Sequence, residues 1–133
     1  MALKWFLPET SSQHASHLLA RFRRGMDDLL APALLLAEFA YNLCKRCQSR
    51  QLTSEEVREI WGDFLALGIE TVAIRELSNG AVQIALDHMA NYYDAVYITL
   101  AQARQCTVIT ADAAMSRAFQ ALTCVTLLGS LAT

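Results

Sequence analysis

Proline and glycine are scarce in this chain, two and five among 133 residues, so few positions break a helix or strand and an element-rich fold is expected. An excess of one charge is missing too: 11 basic residues face 13 acidic ones, for a net charge of −2, and the pI is near 5.9. A broadly basic body, the usual electrostatic footprint of nucleic-acid binding, is therefore excluded, although a local basic face is not. Charged residues make up only 18% and hydrophobic residues 54%, a balance that excludes a disordered chain. No apolar run is long enough to cross a bilayer. The longest, Leu29–Leu43, is interrupted by Pro32, Glu38 and Asn42. Met1–Leu7 is apolar but short and no cleavage-like stretch follows, so no secretory signal is expected. The four cysteines lack the spacing of a disulfide framework, and free thiols in a cytoplasmic protein are the simple expectation. The length suits one core, and residues 1–133 are expected to form a single domain.

Helical and extended patterns alternate along the chain. Ser11 or Ser12 caps a helix expected to run to about Arg24, with Ala15, Leu18, Leu19 and Phe22 as its apolar stripe and Gly25 as its end. Leu29–Ala31 reads as a short strand stopped by Pro32, and a long helix follows from about Ala33 to Arg46. Thr53 and Glu56 have the spacing of a capping box, which opens a helix closed by Gly68. Glu70–Ile74 is a strand by its β-branched content, and Leu77–His88 is a helix. Asp94–Arg104 is a helix apolar nearly all round, Cys106–Thr110 a buried strand, Asp112 to about Gln120 a helix, and Cys124–Leu128 the last strand. Strands separated by helices predict an α/β fold with a parallel sheet covered on both faces, three layers in the order α/β/α.

Three carboxylates are expected at one edge of that sheet. Sites in open parallel sheets form outside the carboxyl ends of the strands. Asp112 follows Cys106–Thr110 almost directly, so it lies there. The helix Asp94–Arg104 feeds the same strand through a tight link at Gln105, which places its first residue, Asp94, at the same edge. Glu38 lies five residues into the helix that leaves Leu29–Ala31, roughly 7–8 Å along its axis, and still reaches a shared cleft. Asp94 and Asp112 each also stand where a helix cap is expected. Glu38 interrupts a run of apolar residues, where an unpaired charge is costly, and Asn42 on the same helix face is its expected hydrogen-bond partner. Clustered carboxylates raise one another's pKa unless a cation neutralises them, and a hard dication, Mg²⁺ or Mn²⁺, fits oxygen ligands of this kind.

Four blocks carry a family resemblance: Ala2–Glu9 (ALKWFLPE), Leu30–Asn42 (LAPALLLAEFAYN), Tyr93–Ala101 (YDAVYITLA) and Val108–Asp112 (VITAD). In this order and spacing the chain resembles PIN-domain ribonucleases of the VapC toxin type. The resemblance implies a PIN-like α/β/α fold and Mg²⁺-dependent (or Mn²⁺-dependent) hydrolysis of RNA phosphodiester bonds. Glu38, Asp94 and Asp112 would hold the metal, Thr110 would position a water or a carboxylate, and Asn42 would support the site. It further implies a homodimer neutralised by a small antitoxin protein. The family opens with a strand ending in Asp, central in the sheet between those matching Leu29–Ala31 and Cys106–Thr110; that strand and Asp are expected to lie upstream of Met1. A second acid often follows the position of Asp112 in the family, but here Ala113 and Ala114 follow.

Other signals carry less. Cys44 and Cys47 form a C-x-x-C late in a helix, without the second pair that zinc needs. His14 and His17 share a helix face but have no third ligand nearby in sequence. Lys45, Arg46 and Arg50 read as a solvated face, or as phosphate contacts beside the cleft. Tyr92, Tyr93 and Tyr97 read as core or dimer contacts, with base stacking as the sharper alternative. Two rival functions follow from the same residues. One is a catalytically degenerate PIN-like module that binds RNA or a partner and cuts nothing. The other, a receiver-type phosphoacceptor, needs a lysine after its last strand, and no lysine follows Lys45.

Overall fold

Gly25 and Gly68 adopt φ of 70° and 66°, a backbone region that side chains with a Cβ enter only at a cost, and each closes a helix at the place expected from the sequence. In the computed structural model, residues 12–119, 121–122 and 125–127 are described. Helix α1 spans Ser12–Arg23, and Arg21 reaches past Gly25 to Asp27, with Nε 2.5 Å from Oδ2. Strand β1 is Leu30–Pro32 and leads directly into α2, Leu34–Gln48. Helix α3, Ser54–Ala66, opens on the capping box: Glu56 N donates to Thr53 Oγ1 at 3.1 Å and Thr53 N donates to Glu56 Oε2 at 3.3 Å.

Strand β2, Glu70–Val72, is shorter than its β-branched content suggests, because the chain turns at Ala73 and α4 already begins at Ile74, running to His88. Burial overrides propensity here: Leu77 and Ala81 go into the core only if the helix is in phase from its start. Met89, with φ 48°, ends α4 in the left-handed region. Helix α5 spans Tyr92–Arg104, two residues earlier than expected, and Gln105 in the left-handed region turns it into β3, Val108–Thr110. The short helix α6, Ala113–Ala118, and strand β4, Val125–Leu127, complete the order.

All observed strand pairing is parallel, as expected, but it is divided. Leu30, Ala31 and Pro32 of β1 pair with Glu70, Thr71 and Val72 of β2, and Val108, Ile109 and Thr110 of β3 pair with Val125, Thr126 and Leu127 of β4. Among the described residues no strand joins the two pairs. Pro32 does not stop β1 but is its third residue. Ala33 N donates to Val72 O at 2.8 Å, and amides alternate along a strand, so the Pro32 nitrogen faces away from β2 and no bond in this pair is lost. The first block of the resemblance, Ala2–Glu9, lies outside the described residues.

Helix α5 ties the halves together. It touches β1 on one side and β3 on the other while packing along α4. Val72, Leu77, Ala81, Ala95, Val96 and Leu100 form one buried cluster between α4 and α5. Ile98 and Ala101 of the same helix join Val108, Met115 and Phe119 in a second. A third, built on Phe39, Leu43 and Phe64, holds α2 against α3, with the Phe39 and Phe64 rings stacked at 4.1 Å between centroids. Helix α5 therefore fixes where the ends of β1 and β3 stand relative to each other, and those ends carry the acidic residues.

Candidate active site

The three acids arrive from three elements. Glu38 lies in the second turn of α2, just beyond the carboxyl end of β1. Asp112 follows the carboxyl end of β3 by two residues. Asp94 is in the first turn of α5. Arg104, at the far end of α5, reaches Glu70 at the amino end of β2 at 3.4 Å, so the two ends of α5 mark the two edges of the fold.

Asp94 does not cap its helix. That place belongs to Asn91, whose side-chain oxygen accepts from Tyr93 N at 2.8 Å and Asp94 N at 3.3 Å. The correction matters for chemistry, because it leaves the Asp94 carboxylate unused by the cap. Asp94 is half-buried, and its carboxyl is raised above the ordinary carboxylate range, first by burial and then by the negative charges of Asp112 and Glu38. Asp94 thus stands close enough to both Asp112 and Glu38 to feel their charge. The reading of Asp112 as a cap holds in addition: its Oδ1 accepts from Ala114 N at 2.8 Å and from Met115 N at 3.3 Å. Thr110, 7% exposed, accepts the amide of Asp112 on its hydroxyl oxygen at 3.0 Å and so braces the turn that carries Asp112.

Asn42 does something other than expected. Its side chain donates to the backbone carbonyl of Glu38 at 2.8 Å, a contact within α2, and not to the carboxylate. The carboxylate partner is Tyr97, whose hydroxyl donates to Glu38 Oε1 at 2.6 Å. Burial, that bond, and the charges of Glu38 and Asp94 all push the Tyr97 hydroxyl far above its usual range. The sequence gives one weak signal for this role: Tyr97 follows Asp94 by three residues and so shares its face of α5. The C-x-x-C lies in the last part of α2 as expected, and Cys44 and Cys47 are free. The side chain of His14 keeps a buried Nδ1 without a partner among the described residues.

The donor set is the kind a hard dication takes, carboxylate oxygens that repel one another in its absence. The spacing is looser than a finished cage: among the described residues no three His, Cys, Asp or Glu side chains stand close enough to hold a metal ion as they are. Glu38, Asp94 and Asp112 fit such an ion by their chemistry and reach one edge, and would hold it only after moving closer together.

Residues 2–119 match the PIN domain family. The chain belongs to that family. Ribonuclease VapC3 of Pyrobaculum aerophilum is 28% identical over 121 residues, covering 88% of this chain and 88% of that protein. The matched span of the PIN domain includes all three acids, Thr110 and the whole of α5 and α6. No helix among the described residues is long and apolar enough to cross a membrane.

Proposed function

We propose that this PIN domain is a divalent-metal-dependent endoribonuclease of the VapC type, cutting RNA phosphodiester bonds inside the cell and held inactive by a small antitoxin protein. The observation that carries the reading is the placement of Glu38, Asp94 and Asp112 at the carboxyl edge of the strands, with the Asp94 carboxyl raised by burial and by the charges of Asp112 and Glu38. The name of the similar protein, a ribonuclease VapC, supports the substrate class.

Glu38, Asp94 and Asp112 would hold Mg²⁺ or Mn²⁺. When bound, such an ion supplies Lewis-acid stabilisation of a phosphate and a more acidic water. The chain's own residues do the placing. Asn91 frees the Asp94 carboxylate by taking the cap, and Thr110 braces the backbone of Asp112. The half-burial of Asp94 keeps part of the site dry, which strengthens its electrostatics. Lys45 and Tyr41, with Nζ 5.9 Å from the ring centroid, stand further along α2 from Glu38 and offer a phosphate contact beside an exposed ring.

We also read the protein as a homodimer. Val82 and Leu86, four residues apart on one face of α4, are 46% and 66% exposed, Met89 just past the end of that helix is 91% exposed, and a second copy would cover them. The test of the main reading is cleavage of single-stranded RNA by the purified chain with Mg²⁺ and with a chelator, followed by addition of the protein encoded beside it. Cleavage that needs Mg²⁺ and stops on complex formation is expected. RNA bound but left intact would favour the second reading, a binding module that cuts nothing, which the loose spacing of the three acids supports.

A further inference from the structure

Tyr97 touches the settings of all three acids. Its backbone lies three residues beyond Asp94, about 4.5 Å along α5 and on the same face. Its ring packs against the cluster of Ile98, Val108, Met115 and Phe119, which seats the helix capped by Asp112. Its hydroxyl crosses 59 residues of sequence to Glu38 Oε1 at 2.6 Å. That length is typical of a hydroxyl donating to an ionised carboxylate, a bond about twice as strong as a neutral one.

A glutamate has three side-chain torsions, the last of them broad, so an unheld Glu38 would spread its two oxygens over many directions. A partly buried ring packed against a core cluster, with one donor at its tip, restricts that freedom. We propose that Tyr97 is a positioning residue that holds Glu38 Oε1 and so presents Oε2 to a divalent cation shared with Asp94 and Asp112. The inference rests on the metal-site reading above and extends it to a residue that binds no metal itself. Tyr97 has a second consequence for assembly, since it ties the β1–α2 half to the β3–α6 half through α5.

The experiment is Mn²⁺ binding to the full chain, followed by electron paramagnetic resonance, for wild type, Tyr97→Phe, Glu38→Gln and the double variant, with circular dichroism confirming the fold of each. Tyr97→Phe keeps the ring and removes the donor, and is expected to weaken Mn²⁺ binding about tenfold, as loss of a ligand's supporting partner does. In the Glu38→Gln background the same change is expected to add nothing, because Tyr97 acts through Glu38. A folded Tyr97→Phe protein with wild-type affinity, or losses that add in the double variant, would overturn the proposal while leaving the metal site standing. Wild-type protein that takes up no Mn²⁺ would overturn the metal-site reading and this inference with it. Glu38→Asp supplies an arm that leaves the core ring untouched: it keeps the charge but withdraws the carboxylate from the Tyr97 hydroxyl. Because the shorter side chain also withdraws the oxygen that faces the cation, its affinity is expected to fall at least as far as that of Tyr97→Phe, and undiminished binding would count against the proposal.

Discussion

Asp112 Oδ1 accepts the amide of Ala114 at 2.8 Å, so the residue that faces the acidic site is at the same time the cap of α6. The two roles separate by substitution. Asp112→Asn retains a good capping side chain and loses the charge, whereas Asp112→Ala loses both. Both are expected to abolish RNA cleavage, but only Asp112→Ala is expected to lose about 1 kcal/mol of stability in denaturant unfolding. Equal stability of the two variants would show that the cap contributes nothing.

Asp94 gives a pH signature. Its carboxyl is raised in the folded protein, by burial first and then by Asp112 and Glu38, so the folded state holds the proton more tightly than the unfolded chain does. That stability is complete below the ordinary carboxylate range and is lost as pH rises through the raised value. At neutral pH Asp94 therefore costs stability. Asp94→Asn is expected to melt higher than wild type at pH 7. The difference should vanish at low pH and narrow when Mg²⁺ is added to wild type. Melting curves that run parallel from pH 3 to 8 would contradict this.

Gly80 and Thr99 set the spacing of the two helices that carry α5's position. A Cβ at Gly80 would stand 2.7 Å from Thr99 Cγ2, and Thr99 is held by its own bond to Ala95 O at 2.8 Å. Gly80→Ala gains about 1 kcal/mol in helix propensity but overpacks the contact at a cost of about 1–3 kcal/mol. A net loss is expected, relieved by adding Thr99→Ser, which removes the clashing methyl. A Gly80→Ala protein more stable than wild type would show that α4 and α5 separate freely.

The exposed face of α4 predicts assembly. Leu86→Glu is expected to convert a dimer to a monomer in sedimentation at micromolar concentration while leaving the melting of the monomer within about 0.5 kcal/mol of wild type. A Leu86→Glu protein that stays dimeric would place the interface elsewhere.

Much of this was legible from local chemistry. Gly25, Gly68 and the Thr53–Glu56 box each act within one turn of backbone, and all three stand where the sequence puts them. The carboxyl-edge position of Asp112 follows from a two-residue separation from β3. What failed depended on competition or on distance. Asp94 and Asn91 are both good caps, and which one wins is decided by where Tyr92 and Ala95 must sit in the core. The stretch from Glu70 to Ile74 reads as a strand until the burial of Leu77 fixes the phase of α4. Asn42 had a partner within its own helix, and its neighbour's carboxylate went instead to Tyr97, a pairing across 59 residues that no periodicity reveals.

The most direct test of the account is RNA cleavage in Mg²⁺ by wild type beside Glu38→Gln, Asp94→Asn and Asp112→Asn, each shown to be folded. These changes remove one charge apiece and little volume. If the three carboxylates act on one cation, every single variant is expected to fall by about 100-fold or more, because none of the remaining pairs completes the site. Full cleavage by any one of the three, or cleavage by wild type that survives removal of Mg²⁺, would contradict the account.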